Sequence, residues 1–220
     1  TAALQTLVDT LQPNLVRLPI YWSQAQPWPD GFDFSATDAL LNVIQRHNRH
    51  LRRPTRVILT IGARNLGYPE VYLPGWLPNA TGSNLRKIVA SPAYATYLQT
   101  SVAHYADLPE LYAWQIENEP LDSVTTNVDQ APALTATTVE NEIDQLRATD
   151  QIHSIVVTTF NSSPNTLDKQ GQSPPARLHP LLPGPTAAGH PAPPPRPGTR
   201  PGPAPQPPPP PPPPHAAPAA

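Results

Sequence analysis

The chain contains no cysteine and no methionine. The first absence excludes disulfides, a thiolate nucleophile and zinc–thiolate ligation, and it leaves the redox compartment undetermined. The second implies that Thr1 is not a native translation start, so any signal peptide is expected upstream of the residues given. No apolar run approaches the length that crosses a bilayer, and no membrane span is expected. Acid is missing from one end: all 16 acidic residues precede Lys169, and no glutamate follows Glu142. Lys169, Arg177, Arg196 and Arg200 are spread too thinly through proline to form a basic patch, so no nucleic-acid partner is expected. A glycine-rich phosphate loop, a Gly-x-Ser-x-Gly elbow and metal-ligand spacing such as His-x-x-x-His are all lacking. His47, His50, His104 and His153 are scattered and read as solvated, and neither a metal nor a cofactor is expected.

What is present divides the chain in two. Of 35 prolines, 22 lie between Pro174 and Ala220, a stretch with no acidic or aromatic residue. Such a segment buries too little apolar surface to offset its ordering entropy, so residues 166–220 read as a disordered tail of polyproline II character. Every Trp, Tyr and Phe falls within Thr1–Phe160. Residues 1–165 are therefore the expected folded part.

Within that part, helical and strand patterns alternate. Leu4, Leu7, Val8 and Leu11 repeat at helical spacing, and Asn14 to Ile20 follows as a short strand. Ser35 with Asp38 reads as a capping box opening a helix striped by Leu40, Leu41, Ile44 and Leu51. Arg56 to Gly62 is the next strand, and a long loop runs from Ala63 to Ala90. Ser91-Pro92 reads as an N-cap followed by proline at the first helical position, with Tyr94, Leu98, Val102 and Tyr105 on one face. Leu111 to Glu117 is a third strand, Ala133 to Ala148 a helix, and Ile155 to Phe160 a fourth strand. A βα step of roughly forty residues, with strands apolar on both faces, predicts a parallel α/β sheet with helical crossovers.

The stretch Trp114-Gln115-Ile116-Glu117-Asn118-Glu119-Pro120 closes the third strand. Pro120 has no N–H and stops the ladder just after Glu119, at the strand end where α/β barrels carry their chemistry. This Asn-Glu-Pro run resembles the signature of the clan A glycoside hydrolases, the cellulase-like (β/α)8 enzymes. The resemblance implies a partial (β/α)8 barrel of about four βα units, the family's second to fifth strands, and a carbohydrate substrate cleaved at β-glycosidic bonds with retention. It implies that Glu119 is the acid/base and that Asn118 binds the sugar 2-hydroxyl. The run Gln115 to Glu119 is also similar to certain clan A β-galactosidases, so the sugar stays open. The non-catalytic alternative is a carbohydrate-binding half-barrel, or a platform that displays the tail.

Glycoside cleavage of the common kind needs two carboxyl groups, about 5 Å apart for retention and further for inversion. Glu119 offers one, and a proton donor needs burial or a neighbouring carboxylate to raise its pKa. The family's nucleophile is a glutamate well downstream, and none is present, so an inactive fragment is expected. Glu117 shares the strand of Glu119 and cannot reach the opposite face of a sugar ring. It reads as a strand residue turned toward a helix or an ion pair. In Val16-Arg17-Leu18-Pro19 the resemblance implies an arginine that hydrogen-bonds the nucleophile, and without that partner Arg17 is expected to be an uncompensated buried charge. Trp22, directly after the first strand, is the best aromatic candidate for a sugar face, beside Tyr21, Trp28, Tyr68 and Trp76. The family often places a histidine where this chain has Gly62-Ala63-Arg64.

Three origins compete for the proline tract. It is a linker, although Ser and Thr are scarce in it; or a ligand for a polyproline-binding domain of SH3 or profilin type, since Pro207 to Pro214 is uninterrupted; or a GC-rich gene read out of frame from about Ser162 to Gln172. The last is favoured, because it explains why the barrel pattern and the carboxylates stop together.

Overall fold

The computed structural model describes residues 1–49, 51–125 and 130–159. The tail inferred for 166–220, His50 and the end of the fourth expected strand at Phe160 lie outside them. In chain order the elements are α1 (Ala2–Leu11), β1 (Leu15–Tyr21), α2 (Trp22–Ala25), α3 (Ser35–Asn48), β2 (Arg56–Gly62), a 3-10 turn (Gly82–Asn84), α4 (Leu85–Val89), α5 (Pro92–Tyr105), β3 (Leu111–Ile116), β4 (Val124–Thr125), β5 (Gln130–Ala131), α6 (Ala136–Thr149) and β6 (Ser154–Val156).

Four strands form one sheet in the order β1-β2-β3-β6. All three pairings are parallel, so each strand is followed by helix and then by its own neighbour. The alternation in the sequence thus yields four parallel strands joined by three helical crossovers. Pairing in register puts Leu18, Leu59, Trp114 and Ile155 in one row and Ile20, Ile61 and Ile116 in the next. Those rows pack on Val8, Leu41, Ile44, Tyr94, Leu98, Val102, Ile143 and Leu146 from the helices. Burying each such side chain contributes about 1.5–3 kcal/mol. Side chains alternate along a strand, so Arg17, Ile58 and Ala113 form a row on the other face, as do Pro19, Thr60 and Gln115.

The helix boundaries follow their caps. Ser91 Oγ accepts from the Tyr94 N–H at 3.3 Å and Pro92 opens α5, as the sequence predicts. In α6 the expected start at Ala133 moves to Ala136, because Thr135 is the residue whose hydroxyl accepts from the Thr138 N–H, at 3.1 Å. The capping box expected at Ser35 does not form. Ser35 is itself helical, the Asp33 carboxylate takes its N–H at 2.9 Å, and Asp38 accepts instead from the Tyr105 hydroxyl at 2.8 Å. The stripe on α3 ends early as well, since Leu51 falls beyond the helix. The long loop after β2 contains α4, and the Thr-rich loop after β3 contains the antiparallel pair of β4 and β5, neither of which the pattern announces.

His47 departs from its solvated reading: its side chain is 7% exposed, and Nδ1 lies 3.2 Å from Asp9 Oδ1. Among the described residues no helix is long and apolar enough to cross a membrane.

Candidate functional site

The C-terminal ends of the parallel strands coincide. Tyr21 pairs with Gly62, and Ile61 with Ile116, so the residues after β1, β2 and β3 emerge along one rim. The Glu117 N–H still donates to the Ile61 carbonyl at 2.8 Å, after which the ladder breaks. Glu117 and Glu119 both adopt left-handed backbone, with φ of 54° and 47°. For residues with a Cβ that conformation costs of order 1–3 kcal/mol each, so the surrounding contacts must over-determine the turn.

Those contacts begin with Glu117. Its buried carboxylate accepts from the N–H groups of Ala63 at 2.9 Å and Arg64 at 2.5 Å, and from the Tyr94 hydroxyl of α5 at 2.5 Å. It therefore ties β3 to the loop after β2 and to the helix layer, in agreement with its reading as a residue turned toward a helix. Burial pushes its pKa up to about 7, and the hydrogen bond from Tyr94, those from Ala63 and Arg64, and the Arg64 charge pull the other way. Gly62 makes room for it: a Cβ there would meet the Glu117 carboxyl carbon at 2.6 Å.

Asn118 and Glu119 lie at the rim, each half-buried. The Asn118 N–H donates to the Arg64 carbonyl at 3.1 Å, and its Nδ2 donates to Glu70 Oε1 at 2.7 Å. The Glu119 N–H donates to Thr158 Oγ1 at 3.0 Å. No hydrogen bond or ion pair engages the Glu119 carboxylate among the described residues. Pro120 then accepts from the Leu134 N–H at 2.7 Å, which closes the loop that follows.

Arg17 sits on the sheet face turned away from the helices and is exposed. Its Nη1 donates to Gln115 Oε1 at 2.9 Å. Gln115 Nε2 donates in turn to the Glu117 carbonyl at 2.9 Å and stands 3.5 Å from Thr158 Oγ1. A polar line thus runs from Arg17 through Gln115 and Thr158 to the backbone of Glu119. The expected uncompensated buried charge at Arg17 is corrected: the guanidinium reaches solvent and has a neutral partner.

Trp22 is the second correction. It opens α2 with no surface exposed, its indole stacked on Tyr97 at 5.3 Å between centroids and edge-on to Tyr94 at 5.2 Å. Its Nε1 donates to Gln26 Oε1 at 2.8 Å. A ring enclosed in this way offers no face to a sugar. The chain turns over the helix layer directly after β1, and that bend carries Trp22 into the core. Trp28 and Tyr68 are the exposed loop aromatics, at 62% and 67%. Tyr21 stacks on Tyr72 at 4.1 Å, and both hydroxyls donate to the Leu66 carbonyl. Burial first, then Tyr72, raises the Tyr21 pKa to about 12.

Four residues that hold the site have little or no signal in the sequence. Thr158, two residues beyond the last strand, is readable only as a hydroxyl in a β-branched run. Gln115 sits inside the motif without a role of its own. Glu70 and Arg64 come from the loop after β2, and only the fold brings them to Asn118.

The cellulase family, glycosyl hydrolase family 5, matches residues 1–180. A comparison with curated proteins finds no match. Among solved structures, an exo-β-1,4-mannosidase, Op5Man5 from Opitutaceae bacterium strain TAV5, superposes with a TM-score of 0.52 at 17% identity, covering 71% of this chain and 27% of its own. A GH5_18 from Bifidobacterium longum subsp. infantis gives 0.51 at 14%, covering 71% and 37%. Endo-glycoceramidase II from Rhodococcus sp., in complex with a five-membered iminocyclitol, gives 0.50 at 19%, covering 71% and 42%. This chain therefore spans well under half the length of each of these structures, and at such identities the likeness shows the fold. The four parallel strands and their helical crossovers are part of a (β/α)8 barrel, and with the family match over most of its length the chain belongs to the cellulase family of glycoside hydrolases, family 5.

Proposed function

We propose that this chain carries the proton-donor half of a β-glycosidase site, with Glu119 as acid/base, Asn118 on a sugar hydroxyl, and Arg17 placed to hold the opposing carboxylate. The observation that carries this reading is the half-buried Glu119 on the rim of the parallel sheet, its carboxylate without a hydrogen bond or ion pair among the described residues, beside an amide held by Glu70. A carboxyl group at that rim donates its proton to the leaving oxygen and takes one back from water in the second half of a retaining cycle. The opposing carboxylate has no candidate after Glu142 other than aspartates, the last of which is Asp168. We infer that these 220 residues alone do not turn over substrate. The substrate class is a β-linked oligo- or polysaccharide. Mannoside and glycoceramide names among the similar structures support the class and leave the sugar open.

The test is hydrolysis of aryl β-glycosides by this chain and by a version extended in the alternative reading frame beyond Ser162. The expected result is no turnover by the chain as given, and turnover by the extended one that falls roughly 100-fold or more in Glu119→Gln. An extended enzyme indifferent to that substitution would remove Glu119 from the mechanism. Turnover by the given chain would show that the site is complete without the downstream half.

A further inference from the structure

The polar contacts behind the Asn118–Glu119 turn converge on one buried cation. Arg64 is 1% exposed. Its N–H donates to Glu117 Oε2 at 2.5 Å, and its carbonyl accepts from the Asn118 N–H at 3.1 Å. Its Nη1 donates to the carbonyls of Pro120 at 3.4 Å and Asp122 at 2.5 Å. Its Nη2 stands 3.6 Å from Glu70 Oε1, the same oxygen that accepts from Asn118 Nδ2. One residue thus grips the turn at positions 117, 118, 120 and 122, and reaches the Asn118 side chain through its ion-pair partner.

Burying a guanidinium is costly unless carbonyls and carboxylates meet it, and a planar fork suits several acceptors at once where a lysine does not. Glu70 also bears a local cost, since its φ of 85° is unusual for a residue with a Cβ. Its carbonyl accepts from the Asn65 N–H at 2.8 Å, and Asn65 Nδ2 is anchored to the carbonyls of Ile20 and Thr60 at the ends of β1 and β2. The sheet therefore fixes Glu70, and Glu70 fixes the amide.

We propose that the Arg64–Glu70 pair is the positioning device of the site: it holds the amide nitrogen of Asn118 inward, so that Oδ1 faces the ligand and accepts from a sugar hydroxyl, and it clamps the turn that presents Glu119. The ligand half of this inference rests on the reading of Asn118 and Glu119 as the sugar-contacting pair; the positioning half stands on the contacts alone. Arg64 and Glu70 are positioning residues, since each acts through the turn.

The experiment is the proton–nitrogen NMR spectrum of the full chain, with the Asn118 side-chain amide assigned by its disappearance in Asn118→Asp. Glu70→Ala is expected to move that amide pair while dispersion elsewhere in the sheet is kept. Glu70→Gln retains an accepting oxygen and is expected to return the pair toward its wild-type position, a rescue that a merely structural role for Glu70 would not give. Arg64→Lys is expected to shift the backbone amides of Asn118, Glu119, Leu121 and Asp122 together. Titration with cellobiose is expected to show roughly tenfold weaker binding in Glu70→Ala, the effect of losing about one oriented hydrogen bond. An Asn118 amide pair unmoved in Glu70→Ala, or a Glu70→Gln spectrum no closer to wild type than that of Glu70→Ala, overturns the positioning. Wild-type protein that ignores cellobiose, mannobiose, lactose and the p-nitrophenyl β-glycosides of glucose, galactose and mannose alike overturns the ligand reading, while the amide spectra still decide the positioning.

Discussion

Two buried carboxyl groups, Glu117 just after β3 and Glu142 on α6, set how stability depends on pH. Glu117 is wholly buried, and burial raises its pKa from 4.5 to about 7. Glu142, on α6, is 1% exposed, and neither of its oxygens has a hydrogen-bond partner among the described residues. Burial, reinforced by the Glu117 charge, pushes its pKa well above the ordinary range. A carboxyl group whose folded pKa is raised favours the folded state fully below its unfolded pKa, and that advantage disappears as pH rises through the folded value. For Glu117 the window runs from 4.5 to about 7, and a rise of that size corresponds to about 3 kcal/mol. Glu142 acts in the same direction over a window that extends higher.

Urea denaturation at pH 4 and pH 8 measures the slope directly. Wild-type protein is expected to lose about 3 kcal/mol or more between the two, a large fraction of the stability of a typical domain. Glu142→Gln keeps the shape and removes the like charge, so it is expected to flatten the slope and stabilise the fold at pH 8. Glu117→Gln is expected to flatten it too, at an absolute cost, because an amide nitrogen would face one of the N–H groups of Ala63 and Arg64 that now donate to a carboxylate oxygen. The comparison therefore rests on slopes. A wild-type stability that is flat or rises from pH 4 to pH 8, or a Glu142→Gln protein that is less stable at pH 8, refutes the assignment of these groups as buried acids that resist ionisation.

Gly62→Ala is expected to destabilise by roughly 3 kcal/mol in the same assay, since the new Cβ would meet the Glu117 carboxyl carbon at 2.6 Å and the backbone φ is 147°; a loss below about 1 kcal/mol would mean that the contact relaxes freely. Asp150 is 4% exposed and resists ionisation through burial, but hydrogen bonds from Trp114 and from the N–H groups of His153 and Ile152 outweigh that and lower its pKa to about 2. Its contribution is present above 3.8 and lost as pH falls through 2, so Asp150→Asn is expected to cost about 2 kcal/mol at pH 7 and nothing near pH 2; equal costs at both would refute the assignment. Trp22→Phe is expected to lower stability by about 1–3 kcal/mol and to leave glycoside affinity unchanged; affinity lost with stability intact would restore the sugar-platform reading.

The legible parts of this molecule are those where chemistry is local. Ser91-Pro92 starts α5 because a hydroxyl cap and a missing N–H act within one turn of each other. The strands at Arg56 and Leu111 are legible because they are buried on both faces and almost wholly apolar, and the one at Leu15 because β-branched and apolar residues flank a single arginine. Asn118 and Glu119 were readable because a strand end, an amide, a carboxyl and a proline are contiguous. Where contacts are distant in sequence, the local signal misleads. Ser35 and Asp38 have the spacing of a capping box, yet Tyr105, 67 residues away, takes the Asp38 carboxylate. Trp22 sits at the position of a loop aromatic, yet Tyr94 and Tyr97 enclose it.

The same distance rule separates what can be read of the site from what cannot. The acid of the motif is visible, but its geometry is set by Thr158 from just beyond the following strand and by Arg64 and Glu70 from the preceding loop. As the proposed proton donor, Glu119 would have to be held to within a fraction of an ångström of its acceptor, and that constraint comes from neighbours that the barrel order brings together. Arg64 is a buried guanidinium, and such a group needs carbonyls and a carboxylate around it; Pro120, Asp122 and Glu70 supply them. The turn that carries Asn118 and Glu119 is thus held by a residue more than fifty positions away, and only the parallel pairing of β2 with β3 brings the two together.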